Sequence, residues 1–356
     1  MERNQQFDGS PESPVEWSAS KLDGIHKAAG SLRKEPKADI LAQKIIIDAD
    51  PGIGDAFAVL AALVDPSLDV VGLTATAGSV SGIQATRNLQ YLIDLIDPVK
   101  HPRVGQSELP AVSPPGDIPT RHCFLGRHGL GDVDVAVPDL HHRRESAKLI
   151  VDLVHEFPHE VRLLTLGPLT NVAIACELEP ELPNLLEGIV CLGGVNSVSG
   201  DVTAVAEFNM WADPEAAATV FRLHTAKILV PLDTSGMAVL TFEDVDLLSD
   251  LIEDTTNCHD LSSMLQFSIR ANRQELAFEG IALHSLVALA VAARAEPFSL
   301  EAIRADVETS GHLTRGMTVI DRRRVFNGQT NVDLVSSVDE HGVVDYFSRS
   351  FRRAAR

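Results

Sequence analysis

The chain has 356 residues, of which 45% are hydrophobic, and a formal net charge of −20 at pH 7. This length suits one large α/β domain or two smaller ones, and the acidic surface argues against nucleic acid as a partner. No apolar run approaches the roughly 20 residues of a membrane span, and the polar N-terminus lacks the apolar core of a signal peptide. The four cysteines form no CxxC pair, so we expect a reducing, cytoplasmic location and no thiolate zinc site.

The first 40 residues differ in composition from the rest. They are rich in Ser, Pro, Glu and Lys and show no strong period, which predicts a polar and flexible N-terminal extension at residues 1–40. Residues 41–356 are then expected to form one folded α/β domain.

Apolar runs alternate with amphipathic stretches along that domain. KIIIDAD predicts a buried strand and GDAFAVLAALVD a helix, and the same order returns in LDVVGLTATAG with SGIQATRNLQYLIDLI and in VRLLTLG with PLTNVAIACELE. GIVCLGG and AKILVPLDTS predict strands, whereas WADPEAAATVFRL, DLSSMLQFSIRANRQELAF and ALHSLVALAVAA predict helices. ADVETSGHLTRGMTVIDRR and TNVDLVSSVD are interpreted as the two strands of a late hairpin. The pattern predicts a single doubly wound, mostly parallel sheet with helices on both faces.

Residues with chemical potential fall where the predicted strands end. In such sheets ligands bind outside the carboxyl ends of the strands. That edge is expected to hold Asp50, Gly78, Leu166, Gly193 and Asp233.

The first acidic cluster, Asp48, Asp50 and Asp55, admits two interpretations. Pro51 and Gly52 turn the chain, so Asp50 and Asp55 can approach one hard cation, which takes oxygen ligands. Alternatively, Asp55 complements a helix N-terminus and Asp48 or Asp50 accepts hydrogen bonds from turn amides. The residues of this stretch alone leave both interpretations open.

Several stretches resemble the nucleoside hydrolase family, the inosine–uridine-preferring N-ribohydrolases. The resemblance begins in DADPGIGDA, recurs in AGSVSGIQATRN, TLGPLTNVA, CLGG, AEFNMWADPEAA, ALHS and ETSGHLTRGMTVIDRR, and covers about residues 44–350. It implies a hydrolase of N-glycosidic bonds in ribonucleosides, acting in nucleoside catabolism and salvage. It further implies a small-molecule nucleoside as substrate, a calcium ion that binds the attacking water and the ribose hydroxyls, and a homodimer or homotetramer.

The resemblance also implies a metal site. Asp50 matches the carboxylate that binds the metal and acts as general base, and Asp55 matches a second metal carboxylate. Leu166 matches a residue whose backbone carbonyl is a ligand. Ser285 stands where the family usually places a third metal carboxylate, so we expect it to be a weak ligand.

The substrate contacts are carried over in the same way. Glu207 and Asn209 match residues that hold the ribose, and His284 matches a histidine near the leaving base, which it is expected to protonate. Ser79 and Asp201 replace two asparagines that usually touch the sugar, and both are assigned to substrate binding.

Two further positions depart from the family pattern. Gly54 replaces a carboxylate that normally contacts ribose. Leu125 replaces a loop histidine, for which the neighbouring His122 or His128 is a candidate substitute. The leading hypothesis is a nucleoside hydrolase with altered sugar recognition. The alternatives are a non-catalytic binding protein with a degenerate site, and a hydrolase of a related ribosyl compound.

Overall fold

The computed structural model describes residues 42–110, 112, 122–135, 144–250, 259–323 and 329–354. Residues 42–356 form one compact unit. Its strands are β1 (Gln43–Ala49), β2 (Leu68–Ala75), β3 (Arg103–Gly105), β4 (Val161–Thr165), β5 (Gly188–Leu192), β6 (Lys227–Val230), β7 (Val239–Leu240), β8 (Ile281–Ala282), β9 (Phe298–Ile303), β10 (Ala305–Val307), β11 (Thr318–Ile320) and β12 (Val332–Val338). Its helices are α1 (Ile53–Val64), α2 (Gly82–Ile96), α3 (His122–Leu125), α4 (Ser146–Glu156), α5 (Thr170–Leu178), α6 (Leu182–Leu185), α7 (Phe208–Ala212), α8 (Pro214–Arg222), α9 (Leu232–Ser235), α10 (Phe242–Asp250), α11 (His259–Leu276), α12 (His284–Ala293) and α13 (Glu340–Ala354).

The main sheet has eight strands in the order β3-β2-β1-β4-β5-β6-β12-β9. All neighbouring pairs are parallel except β12 with the edge strand β9. The chain runs from β1 through β2 to β3 on one side, and β4 then pairs on the other side of β1. The strand order therefore reverses at β1 and β4, which is the position where α/β sheets bind ligands.

Helices cover both faces of this sheet, as the sequence pattern predicts. Ile45 and Ile47 of β1 join a core with α1, α2, α11, α12 and α13, whereas Ile46 joins a second core with α4, α5 and α8. All three isoleucines are fully buried. A strand that is apolar on both faces can form only where helices pack on each side of it, so the run KIIIDA favours the centre of the sheet.

One predicted pairing is wrong. The hairpin expected between ADVETSGHLTRGMTVIDRR and TNVDLVSSVD does not form, because β10 and β11, both within the first stretch, pair with each other. β12, from the second stretch, lies between β6 and β9 in the main sheet. The predicted extension at residues 1–40 lies outside the described residues.

Candidate active site

The carboxyl edge of the main sheet collects the residues expected there. Asp50 directly follows β1, Leu166 follows β4 and Gly193 follows β5, while Gly78 lies three residues beyond β2. Asp233 lies in α9 after β6. Its carboxylate accepts hydrogen bonds from the backbone N–H groups of residues 196 and 197 at 2.7 and 2.8 Å, so it fastens a loop at this edge.

Asp50 is held in a tight backbone cradle. Its side chain is 3% exposed, and Oδ2 accepts a hydrogen bond from the backbone N–H of Ser79 at 2.5 Å. A Cβ at Gly78 would clash with Oδ2, and one at Gly167 would clash with Oδ1. Two glycines are therefore needed for the backbone to approach this carboxylate so closely, and the cradle fixes its orientation.

Asp55 and Ser285 form the second part of the site. Asp55 lies in the first turn of α1, where its charge suits the positive end of the helix. Oδ1 of Asp55 accepts a hydrogen bond from Ser285 Oγ at 2.5 Å. A Cβ at Gly54 would lie 3.6 Å from that hydroxyl, which is ordinary contact distance. The structure thus brings positions 54, 55 and 285 together.

Asn209 links the ends of two strands. Its Nδ2 donates to the carbonyl oxygens of Leu166 and Leu192 at 2.7 and 3.0 Å. The carbonyl expected to bind a metal is therefore held by the side chain expected to bind ribose. A carbonyl oxygen has two lone pairs, so the Leu166 oxygen keeps capacity for a second partner.

Glu207 caps the short helix α7 from a buried position. Its carboxylate accepts from the N–H groups of Gly194 at 2.8 Å, Asn209 at 2.9 Å and Met210 at 3.2 Å. Burial, with a smaller contribution from the charge of Asp201, raises its pKa to about 8. Oδ1 of Asp201 accepts from the N–H of residue 208 at 2.8 Å, next to Glu207.

His284 begins α12, and its ring bonds to α9. Nδ1 lies 2.8 Å from Ser235 Oγ. Burial lowers the pKa of His284 to about 4, so the imidazole is neutral at neutral pH. The following residue is Ser285, so the imidazole and the Asp55 carboxylate are brought to the same region.

Leu125 packs over the turn between the two acidic positions. A Cβ at Gly52 would lie 2.9 Å from Cδ2 of Leu125, so the leucine sits directly on that turn. The backbone carbonyl of His128 accepts from Asn88 Nδ2 at 2.8 Å, and the same amide donates to Pro51 O at 2.9 Å. The His122 side chain lies outside the described part of the chain.

Asp48 lies two residues before Asp50, and its surroundings differ from the turn that the sequence interpretation considered for it. It is fully buried, and Oδ1 accepts from Thr74 Oγ1 at 2.6 Å and Asn171 Nδ2 at 2.8 Å, rather than from turn amides. Burial raises its pKa to about 7, and the charge of Asp50 adds to that rise. Its spacing of two residues from Asp50 was the available signal, since it places both side chains on one face of a strand.

The oxygens at this edge suit a hard cation by ligand type. They comprise the carboxylates of Asp50 and Asp55, the Ser285 hydroxyl and the Leu166 carbonyl, with no thiolate among them. Within the described ranges, no three acidic, histidine or cysteine side chains group closely enough to hold a metal. Because the affinity of such a site follows the number of its charged ligands, two carboxylates would hold a hard cation less strongly than three.

The family profile described as inosine-uridine preferring nucleoside hydrolase matches residues 45–345. The non-specific ribonucleoside hydrolase RihC of Escherichia coli O1:K1 / APEC is 33% identical over 303 residues, which are 84% of this chain and 94% of that protein. Uridine nucleosidase 1 of Arabidopsis thaliana is 32% identical over 318 residues, covering 85% and 91% of the two chains.

Solved structures are similar over most of the chain. The purine-preferring ribonucleoside hydrolase from Gardnerella vaginalis superposes with a TM-score of 0.77 at 28% identity, covering 88% of this chain and 99% of that one. The plant nucleoside hydrolase PpNRh1 gives a TM-score of 0.73 at 26% identity, with 87% and 98% coverage.

Proposed function

This chain belongs to the inosine-uridine preferring nucleoside hydrolase family, and we propose that it hydrolyses the N-glycosidic bond of a ribonucleoside with Asp50 as general base. The observation that carries this role is the cradle of Gly78, Gly167 and the Ser79 N–H, which holds the Asp50 carboxylate at the switch point of the sheet. A fixed carboxylate can accept a proton from an attacking water as that water approaches the anomeric carbon.

The water adds to the anomeric carbon while the bond to the base nitrogen breaks. The electron pair of that bond leaves with the base, and the sugar passes through an oxocarbenium-like state. The carboxylates of Asp50 and Asp55 supply a negative field that favours positive charge on the sugar. The fixed orientation of the Asp50 carboxylate lowers the barrier further, because this group need not reorganise during the reaction.

A hard cation, with calcium as our choice, would be held by Asp50, Asp55, the Leu166 carbonyl and weakly by Ser285. The family is generally metal-dependent. When bound, such a cation lowers the pKa of water and polarises sugar hydroxyls. The chain's own residues keep the ligand oxygens in place: Asn209 holds the Leu166 carbonyl, and the Ser79 N–H holds Asp50.

Ribose is assigned to Glu207, Asn209, Asp201 and the Ser79 position. Glu207 is fixed by three backbone N–H groups, which suits a residue that orients a sugar hydroxyl. The backbone N–H of Ser79 bonds to Asp50, which places the Ser79 side chain beside the proposed general base and supports its assignment to the sugar. These residues orient the anomeric carbon with respect to Asp50.

His284 is assigned to the leaving base, but as a hydrogen-bond donor and not as the acid that the sequence analysis expected. Because burial keeps the ring neutral, it stabilises the departing base by donating a hydrogen bond from a ring N–H rather than by releasing a proton. The attacking water transfers one proton to Asp50, and that proton is the one that the free base finally gains. The binding-protein alternative is not favoured, since the similar proteins are named as hydrolases over nearly the whole chain.

The setting of the reaction is also proposed. Nothing in the described helices is both long and apolar enough to cross a bilayer. We place the enzyme in the cytoplasm, as a homodimer or homotetramer that salvages or degrades nucleosides and does not bind nucleic acid. The charge of −20 supports the last point, because it repels phosphate backbones.

Product analysis tests this function. Purified protein is incubated with inosine, adenosine, guanosine, uridine and cytidine in phosphate-free buffer, with calcium or with a chelator. Equal amounts of free ribose and free base, formed without phosphate, support hydrolysis. Unchanged nucleosides at every condition would contradict the proposal and leave the two alternatives, a non-catalytic binding protein and a hydrolase of a related ribosyl compound.

A further inference from the structure

The side chain of Ser235 forms a hydrogen bond with the ring of His284. Its hydroxyl oxygen lies 2.8 Å from Nδ1 of His284, and the residue is fully buried. Within the described residues, this ring nitrogen is the one recorded partner of the hydroxyl. A buried hydroxyl proton without an acceptor is unfavourable, so the hydroxyl donates to Nδ1. The ring proton of His284 then resides on Nε2.

The position of this hydroxyl is set by rigid parts of the fold. Ser235 ends α9, and the preceding Thr234 donates its hydroxyl to the carbonyl of Val335 on β12 at 2.7 Å. Asp233, in the same helix, accepts backbone N–H groups from the loop after β5. α9 is thus fastened on two sides, so Ser235 offers the histidine a hydrogen-bond donor at a fixed point.

Gly236 lies close to the His284 ring on another side. A Cβ at this position would lie 3.3 Å from Cε1 of His284 and 3.1 Å from the Leu232 carbonyl. Contacts this short are tighter than most real Cβ contacts, so the ring fits closely against the glycine. The end of α9 therefore lies against the imidazole, with the Ser235 hydroxyl bonded to Nδ1 and no room for a side chain at Gly236 unless a neighbour shifts.

We propose that Ser235 is a positioning residue for His284, and that its hydroxyl selects the tautomer with the proton on Nε2, the atom that donates to the departing base. This inference rests on the proposed function, because it deepens the role of His284 there. Ser235 itself touches no substrate. The ring keeps its proton throughout, so no bond is made or broken at Ser235.

The test compares Ser235→Ala, Ser235→Thr and His284→Ala on two substrates. One is the best nucleoside, whose base needs a hydrogen bond as it leaves. The other is 4-nitrophenyl β-D-ribofuranoside, whose nitrophenolate is a stable anion that needs little help. Ser235→Ala is expected to lower kcat about 10- to 100-fold on the nucleoside and less than about threefold on the nitrophenyl riboside. Ser235→Thr, which keeps the hydroxyl, should restore most of the nucleoside activity, and Ser235→Ala should add little to His284→Ala.

A stability control and a spectroscopic readout accompany the kinetics. Ser350→Ala removes another buried hydroxyl, which bonds to the Tyr346 carbonyl in α13, and serves as the matched control for lost stability. Nitrogen-15 shifts should show Nδ1 of His284 unprotonated in the wild type and a tautomer mixture in Ser235→Ala. An equal loss on both substrates, no loss on either, or a protonated Nδ1 in the wild type would each overturn the inference. Wild-type protein inactive on every nucleoside would instead contradict the proposed function.

Discussion

Ser285 Oγ donates a hydrogen bond to Asp55 Oδ1 at 2.5 Å, joining the start of α12 to the first turn of α1. One oxygen of the second acidic side chain is therefore engaged by a neutral hydroxyl. Gly54 lies beside the same hydroxyl, and a Cβ at this position would make only ordinary contact with it. The amount of negative charge at positions 54, 55 and 285 would then set how strongly the proposed site binds a cation.

Restoring charge at this point should strengthen calcium binding. The double change Gly54→Asp with Ser285→Asp is expected to lower the calcium Kd at least about tenfold, which needs only about 1.4 kcal/mol. Without calcium, the added carboxylates repel Asp55, so the melting temperature should fall, and calcium should raise it by more than in the wild type. Titration calorimetry and thermal unfolding measure both effects.

The control for that double mutant adds two charges elsewhere. Ser299→Asp with Gln266→Glu changes exposed positions on β9 and α11 and gives the same net charge. Its calcium affinity should match the wild type. If the Gly54/Ser285 variant also matches the wild type, the positions were assigned to the wrong site and the cation does not bind there.

The buried carboxyl of Asp48 predicts a pH dependence of stability. Burial raises its pKa from 3.8 to about 7. The folded protein thus binds this proton more tightly than the unfolded chain, so the free energy of unfolding falls as pH rises from about 4 to about 7, by at most about 1.4 kcal/mol per pH unit. Asp48→Asn removes this term, so the variant should gain stability relative to the wild type as pH rises.

Urea unfolding in chelator, at several pH values across that window, measures this difference. Asp246→Asn, at an exposed position of α10, is the control and should follow the wild-type curve. Parallel curves for Asp48→Asn and the wild type would show that Asp48 is ionised in the folded protein at all these pH values.

We expect stability and activity to depend on the hydrogen bonds that the Asn209 amide donates, and not only on the shape of its side chain. In Asn209→Asp, carboxylate oxygens would face the Leu166 and Leu192 carbonyls in place of the amide N–H groups. We expect a loss of about 1–3 kcal/mol in unfolding free energy and a fall in kcat/KM of at least about tenfold. Asn184→Asp, at an exposed position of α6, should change neither by a comparable amount. Wild-type kcat/KM in Asn209→Asp would remove this bridge from the account.

The N-terminal segment is predicted to contribute little to the stability of the domain. Deleting residues 1–38 should leave the melting temperature almost unchanged, because that stretch lacks core-forming periodicity. Differential scanning calorimetry of the full chain and the truncated chain compares them. A drop of many degrees would show that the segment packs on the domain or on a neighbouring subunit.

The order and type of most elements were predictable because each carries its own periodicity. The apolar run KIIIDA predicts a buried strand, and the periodicity of the residues after it predicts a helix. The alternation of such runs and helices along the chain predicts the parallel sheet. The place of β12 was not predictable, since a short alternating strand has the same pattern in a hairpin and in a large sheet. Tertiary packing decided that β12 pairs with β6 and β9.

The grouping of residues at the candidate site was predictable only where they lie in one short stretch of sequence. Asp50 and Asp55 share one turn, so their spacing reveals them. The partnership of Ser235 with His284 spans 49 residues and that of Asp48 with Asn171 spans 123, and such distances leave no spacing signal. The role of Asp48 as a buried, hydrogen-bonded carboxyl emerges only when β2 and α5 are placed around it.

The most direct test of the account is the kcat/KM of Asp50→Asn on the preferred nucleoside with calcium present. Asparagine keeps the shape of the side chain in its glycine cradle but cannot accept the proton of the attacking water. Asp94→Asn, on the exposed face of α2, is the matched control and should behave as wild type. We expect Asp50→Asn to lose at least about 1,000-fold in kcat/KM while its circular dichroism spectrum remains that of the folded protein. A kcat/KM within about tenfold of the wild type would show that Asp50 is not the general base.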